Sequence, residues 1–365
     1  MPPVPVPYRE PLFAGLAERG RLSPRVIYLS AAQPGWDQRR DWFPEHHGYE
    51  SSILRAHQRA RPGRTPVLVP RGLGRALRGV DPACVVCWEF GAATLRALAW
   101  CRRRRRPLVI FTEVTLHGEA ELSAAQRRVH RRLAPGAAGF IAASSAARRR
   151  LVSLGVDPAL VEVSLQSAEL ERFRSAPRAA DGGQRPLRVL AVGRLVPDKN
   201  LGALIEGFAR AGLADRAELE LCGAGPLEPE LRRRAERLDV PVRFQGYVAP
   251  GALPDRYAHA DAVALVSSYE PFGVTMREGA AAGLPLLCSR TAGAAGDVAV
   301  EGENALLVDP DDPDEIAGAL ARLVHDGDLR RRLAAGSRAV TDRHPPEDDV
   351  EAFERAVLRA VGARG

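Results

Sequence analysis

Lysine is almost absent from this chain. Of its 52 basic residues, 51 are arginine and one is lysine, at position 199. Aromatic residues are also scarce, at 5%, and the acids nearly match the bases, leaving a net charge of +7. A pI of 9.6 would permit binding to nucleic acid. However, the basic excess is thin and has few aromatic residues to stack on bases, so no nucleic-acid partner is expected. No apolar run reaches the roughly 18 residues of a membrane span. The opening Met-Pro-Pro-Val-Pro-Val-Pro lacks the basic and apolar regions of a signal peptide, so a cytoplasmic location is expected. There are five cysteines, at 84, 87, 101, 222 and 288, each in or beside an apolar segment. They read as core thiols of a reducing compartment. Cys84 and Cys87 have the spacing of a redox or metal pair. They bracket Val85-Val86 in a segment that reads as a strand, and a separation of three sends them to opposite faces.

A length of 365 residues suits two domains of ordinary size. Short apolar runs at residues 26–30, 66–70, 85–88, 108–111 and 140–142 alternate with helical stretches whose polar faces carry arginine. The same alternation restarts at 187–192 and continues at 219–221, 242–244, 262–266 and 286–289. This pattern predicts parallel, doubly wound sheets. Between the two series, residues 174–186 are rich in Pro, Gly and Ala without periodicity, which reads as a linker.

Two stretches carry the chemistry. Residues 267–283 read Ser-Ser-Tyr-Glu-Pro-Phe-Gly-Val-Thr-Met-Arg-Glu-Gly-Ala-Ala-Ala-Gly. The run at 262–266 ahead of it puts Glu270 on a loop at the carboxyl end of a strand, where open α/β sheets bind ligands. Glu278 falls just over one turn into the following helix, whose N-terminus favours phosphate. A carboxylate accepts two hydroxyl hydrogen bonds at once, which suits the paired hydroxyls of a sugar. The plain alternative is a helix start with two surface glutamates. The second stretch is Gly193-Arg194-Leu-Val-Pro-Asp-Lys199-Asn200, between a strand and a helix. It keeps the chain's one lysine, whose ammonium is not interchangeable with a guanidinium where a compact charge must meet phosphate.

Together these stretches resemble the Glu-x7-Glu and Gly-Arg…Lys-Asn signatures of the retaining GT-B glycosyltransferases of family four, also called glycosyl transferases group one. The resemblance is strong over residues 187–324 and weaker before them. It implies an α/β, GT-B fold: two facing Rossmann-like domains with parallel sheets and a C-terminal helix crossing back to the first domain. The domains would span residues 1–177 on the acceptor side and 178–345 for the nucleotide sugar, with 346–365 as the returning helix. It implies transfer of a hexosyl group, with retention, from a nucleotide diphosphate sugar to a hydroxyl or other nucleophile of a small-molecule, lipid or glycan acceptor. The alternative is a catalytically inactive sugar-nucleotide-binding protein of the same fold. A phosphorylase of pyridoxal phosphate type would need a second lysine for its Schiff base.

By the same resemblance, Glu270 contacts the donor sugar and Glu278 holds the ribose. Arg194 and Lys199 neutralise the diphosphate, so neither cofactor nor metal is required. Gly193, Gly223, Pro271, Phe272, Gly273 and Val274 line the donor site through backbone approach. Gly35 and Trp36 sit where the family has its glycine-rich acceptor loop, with one glycine instead of the usual two. Trp36 and Trp42 could stack on an acceptor ring or anchor the loop. Glu89 and Glu113 end two strands. The family often has a histidine at the position of Glu113, and the nearest one here is His117, so either residue could serve the acceptor. The loop at 291–298 resembles a family loop near the diphosphate.

Two acidic or metal-like motifs and one basic run remain. Glu45-His46-His47 resembles half a metal site without its second half, and reads as surface or acceptor-facing polarity. Asp309-Pro-Asp-Asp-Pro-Asp-Glu315 has acid-x-acid spacing but precedes a periodic helix, so it is read as a cap rather than a metal site. The basic run Arg102–Arg106 follows a helix-like stretch, whose carboxyl end favours cations, and reads as a solvated face. Its second reading is a peripheral contact with an anionic membrane.

Overall fold

Strand order places the two sequence signatures side by side in the computed structural model. The structure describes residues 1–31, 47–61, 64–166, 168–176 and 185–363. The chain forms two units, one of Met1–Ala168 with Pro346–Gly365 and one of Glu169–Pro345. The division thus falls ahead of the linker read from the sequence, and residues 177–184 of that linker lie outside the described residues.

The first unit opens with β1 (Val26–Tyr28), paired in parallel with β2 (Ser51–Ile53). β3 (Ala56–Arg61) and β4 (Arg64–Pro70) form an antiparallel hairpin. This corrects the reading of 66–70 as a member of a parallel sheet. β4 finds its partner in the segment immediately before it, a local pairing that needs no crossover. A four-stranded parallel sheet follows, in the order β5 (Val85–Trp88), β6 (Leu108–Thr112), β7 (Gly139–Ala142), β8 (Val161–Val163).

The central strands β6 and β7 are buried on both faces, as apolar runs without polar alternation require. Along β6, Leu108 and Ile110 pack on one side with Leu98, Leu133 and Leu151. Val109 and Phe111 pack on the other with Phe13, Val350 and Phe353. The last helix, Pro346–Gly362, therefore forms a layer of the first unit. Its apolar Val350, Phe353, Val357 and Ala360 recur at helical spacing and face that core. Truncating Phe353 to alanine would cost about 3–5 kcal/mol.

The second unit carries six parallel strands: β9 (Leu187–Val192), β10 (Ala217–Cys222), β11 (Val242–Gly246), β12 (Ala262–Leu265), β13 (Leu286–Ser289) and β14 (Ala305–Val308). Their order is β11-β10-β9-β12-β13-β14. The sheet starts at its centre, winds to one edge, then returns and winds to the other. The reversal falls between β9 and β12, which pair directly. The carboxyl ends of these two strands are the usual ligand position in such sheets. The Gly193–Asn200 stretch leaves β9, and the Glu270 stretch leaves β12.

Candidate functional site

The loop after β9 is knitted to its neighbour by backbone bonds. Gly193 N donates to Cys222 O at 2.9 Å, and Gly223 N donates to Gly246 O at 2.7 Å. Leu195 N donates to Ala224 O at 3.1 Å, which carries Arg194 between two fixed points. Lys199 ends the short turn Pro197–Lys199, and Asn200 opens the helix Leu201–Arg210 with a φ of 50°. Asn200 holds that conformation through its side chain, which donates to Pro310 O at 2.7 Å. The turn is also tied to the loop after β12. Asp198 O accepts from Tyr269 N and from Ser268 Oγ, each at 3.4 Å.

That tie brings Lys199 Nζ onto Glu270 Oε2 as an ion pair. Beyond Glu270 the chain turns sharply at Gly273, with a φ of 106°, a conformation that favours glycine. Gly273 is also the N-cap of the helix Val274–Ala281, and no side chain caps that helix. Met276 N in its first turn donates to Gly273 O at 2.9 Å, and the amides of Val274 and Thr275 ahead of it, too early in the helix for an intrahelical acceptor, present partial positive charge. Phe272 is buried as a whole residue, and its carbonyl accepts from Ala294 N at 2.8 Å. Thr275 Oγ1, in the first turn, is buried without a hydrogen-bond partner among the described residues. Lysine, uncapped amides and a carboxylate thus meet at the sheet's reversal point. The arrangement can hold an anion and a group of hydroxyl donors next to each other.

Glu278 is half-buried and has a different partner from Glu270. Tyr257, on the helix Leu253–Ala258, donates its hydroxyl to Glu278 Oε2 at 2.6 Å. Burial pushes the Glu278 carboxyl up to about 7, although the Tyr257 bond favours its ionised form. Tyr257 is itself fully buried, and burial raises its hydroxyl well above the usual range. Nothing in the spacing of the motifs pointed to Tyr257. It reaches Glu278 across 21 positions, from a separate helix. The next residue, Arg277, is buried and donates to His344 O at 2.7 Å, fastening this helix to the end of the helix Gly327–Arg343.

At the carboxyl end of the first unit's sheet, Glu89 and Glu113 adjoin. Glu113 N donates to Glu89 Oε1 at 2.6 Å, and Thr112 Oγ1 donates to Glu89 Oε2 at 2.7 Å. Glu89 has a φ of 58°, unusual for a residue with a side chain. Burial pushes its carboxyl up to about 7, and the neighbouring Glu113 charge adds to this. Glu113 pairs with Arg9 Nη2 at 2.8 Å. Arg9 is buried, with its guanidinium over the Trp88 ring. The sequence reading missed Arg9, which looked like one more arginine in an arginine-rich chain. His117 lies on the short helix Leu116–Ala120 and is exposed.

Gly35, Trp36, Trp42, Glu45 and His46 lie outside the described residues. His47 is a correction. Its side chain is only 7% exposed and bonds to Glu10 Oε2 at 2.8 Å, beside the hydroxyls of Tyr28 and Tyr49, so it belongs to an interior polar network and not to the surface.

The chain is similar to known proteins in both of its halves. Residues 12–164 match the family model described as Glycosyltransferase Family 4, and residues 178–340 match that of Glycosyl transferases group 1. An uncharacterized glycosyltransferase of Methanocaldococcus jannaschii is 28% identical over 191 residues, 52% of this chain and 48% of its own length. A GDP-mannose-dependent alpha-(1-6)-phosphatidylinositol monomannoside mannosyltransferase of Mycobacterium tuberculosis is 31% identical over 229 residues, 58% of this chain and 59% of its own. The chain thus matches about half the length of these curated relatives.

Among solved structures, Anabaena HepE in complex with UDP is 18% identical, with a TM-score of 0.77 over 97% of this chain and 98% of that one. Sucrose-phosphate synthase from Thermosynechococcus elongatus is 19% identical, with a TM-score of 0.74 over 99% and 98%. These two likenesses establish the fold. With both halves matched by their family models and parallel α/β sheets in both units, the chain belongs to the GT-B glycosyltransferases of family four and group one.

Proposed function

We propose that this chain is a retaining glycosyltransferase. It moves a hexosyl group from a nucleotide diphosphate sugar to a hydroxyl, or another nucleophile, of a small-molecule, lipid or glycan acceptor, and needs no metal. One observation carries the donor half of this reading. Lys199, Glu270 and an uncapped helix N-terminus converge where the second unit's strand order reverses. The nucleotide complexes and dependences of similar proteins support it: HepE was solved with UDP and with UDP-glucose, and the mycobacterial relative is GDP-mannose-dependent.

In this reading Lys199 and Arg194 meet the diphosphate, together with the amides of Gly273 and Val274. Fixed positive charge aimed at a leaving group stabilises the charge it gains as the glycosidic bond breaks. Glu270 accepts from sugar hydroxyls. Glu278 accepts from the ribose, with Tyr257 holding its carboxylate. The departing phosphate oxygen takes the acceptor's proton on the same face, which retains configuration. In the first unit, Glu89 and Glu113 form the polar edge offered to the acceptor, with Arg9 positioning Glu113 and His117 nearby on its helix.

A thermal-shift panel of nucleotide sugars tests the donor, since a ligand that binds the folded state raises its apparent stability. Turnover or slow hydrolysis of the stabilising donor separates an enzyme from an inactive binder. Product stereochemistry by NMR tests retention.

The first unit also has a surface suited to an anionic membrane. Arg102–Arg105, Arg128, Arg131 and Arg132 are exposed and make no ion pair among the described residues. The two helix ends adjoin, because the Leu98 and Arg102 side chains lie against Gly136, just beyond the helix Ala124–Leu133. No helix among the described residues is long and apolar enough to cross a membrane, so any such contact would be peripheral.

A further inference from the structure

The Lys199–Glu270 ion pair is braced on both sides. Loop-to-loop bonds to Asp198 O hold the turn that carries the lysine. On the other side, Gly293 N donates to Glu270 O at 3.1 Å, and Ala294 N donates to Phe272 O at 2.8 Å. A Cβ at position 293 would lie 1.9 Å from Pro271 O, so glycine is needed for the loop at 291–298 to press this close. That loop therefore fixes the backbone of Glu270. The lysine and glutamate side chains are only 19% and 11% exposed, so solvent screens their attraction less than it would at the surface.

Consider an anion that takes Lys199. It must draw the ammonium away from Glu270, and a second negative charge is then left beside the ligand. Fully ionised pyrophosphate and the ionised diphosphate of a nucleotide offer no hydrogen-bond donor to the displaced carboxylate, which can only accept. A nucleotide sugar offers phosphate oxygens to Lys199 and, in the same molecule, hydroxyl donors to Glu270. Both partners of the broken pair are then satisfied again.

We propose that the Lys199–Glu270 pair discriminates between nucleotide sugar and nucleoside diphosphate. Glu270 competes with diphosphate for the lysine, and only a ligand carrying sugar hydroxyls compensates it. Once the sugar has left, Glu270 reclaims Lys199 and weakens the hold on the product. The proposal rests on the donor reading above, and extends it from contact to selectivity.

Calorimetric titrations with pyrophosphate, UDP, GDP and the nucleotide sugar giving the largest thermal shift test it. They are run on the full chain and its Glu270→Gln, Lys199→Ala and doubly substituted variants. Glu270→Gln is expected to bind pyrophosphate and the nucleoside diphosphate about tenfold more tightly, the scale of one charge-assisted contact, and the nucleotide sugar no more tightly. Adding Lys199→Ala should abolish the gain. Should Glu270→Gln not fold, Glu270→Asp, which draws the charge back from Nζ, carries the same sign with a smaller gain. Unchanged or weaker diphosphate binding by the folded Glu270 variant overturns the discriminator. If Lys199→Ala still weakens diphosphate binding in that case, the donor reading stands. If Lys199→Ala binds nucleoside diphosphate as the parent does, the donor reading falls and the discriminator falls with it.

Discussion

Lys199 and Glu270 stand 71 positions apart and form an ion pair. Each lies on a loop that leaves one of two adjacent strands, β9 and β12, which meet at the reversal of the sheet. The chain's only lysine is therefore placed by topology, not by neighbours in sequence. Lys199→Ala is expected to cut transfer by about tenfold to a hundredfold at subsaturating donor, the worth of a contact between a charge and phosphate. Lys199→Arg should recover only part of this, because a planar fork does not replace a compact charge in a braced site. Initial rates check both. An unchanged rate in Lys199→Ala would remove the lysine from the donor site.

Glu278 should govern nucleotide binding rather than sugar chemistry. The ribose is present in the nucleoside diphosphate as well as in the donor, so Glu278→Ala is expected to weaken both by about tenfold or more. Tyr257→Phe removes the hydroxyl that supports the ionised carboxylate and should have a smaller effect of the same sign. Direct titration with nucleoside diphosphate measures both. Full affinity in Glu278→Ala would move the ribose elsewhere.

The raised Glu278 carboxyl also has a consequence for stability. Its folded value is about 7, against an ordinary value of 4.5. Between those values the folded protein holds a proton that the unfolded chain has released. Stability therefore falls as pH rises from about 4.5 to 7, and this contribution is level above 7. Glu278→Gln removes it. The variant should gain stability relative to the parent as pH rises through that window, and urea unfolding at pH 5 and pH 8 reads the difference. Equal pH dependence in both proteins would show that Glu278 titrates normally.

The signatures were legible because they are local. Gly193 through Asn200 and Glu270 through Glu278 each lie on one strand–loop–helix unit, where residue type and spacing carry the chemistry. The parallel sheets were legible too, from apolar runs buried on both faces. What was not legible depends on contacts remote in sequence. Tyr257 reaches Glu278 from another helix, and Arg9 reaches Glu113 across 104 positions. No periodicity marks either one. The β3–β4 hairpin was misread because apolar character does not tell a strand which partner it will choose. His47 looked like surface polarity because its partners, Glu10 and Tyr49, come together only in the fold.

The exposed arginines near residues 102–105 and 128–132 predict salt-sensitive adhesion to anionic vesicles. Each basic residue near such a surface is worth about 1 kcal/mol, and this attraction decays within a Debye length. Cosedimentation with phosphatidylserine vesicles should be strong at low salt and lost at high salt. It should be absent with phosphatidylcholine alone. Arg128→Glu with Arg131→Glu should weaken it without changing nucleotide binding, since both residues lie in the first unit. Equal sedimentation with both lipids would dismiss the patch.

The last prediction concerns how the leaving diphosphate is neutralised. As the bond to the sugar breaks, the diphosphate gains negative charge that something must stabilise. Either a divalent cation held by acids supplies that stabilisation, or fixed positive charge from the protein does. The acid-x-acid stretch before the helix Pro313–His325 is committed to other work. Asp312 caps that helix, accepting from Asp314 N at 2.9 Å and Glu315 N at 3.1 Å. Asp309 accepts from Asp311 N at 2.9 Å, Asp314 pairs with Arg210, and Glu315 pairs with Arg290. These contacts fold the stretch around a helix start. In the proposed reading, Lys199, Arg194 and the uncapped turn after Gly273 supply that positive charge instead. Transfer is therefore expected to proceed at full rate in excess chelator, with Asp311→Asn nearly silent and Lys199→Ala strongly impaired under the same conditions. An enzyme that is inactive after chelation and restored by magnesium or manganese would overturn the assignment. The charge-neutralising role of Arg194 and Lys199 would then pass to the metal, although binding of a sugar nucleotide at this site could stand.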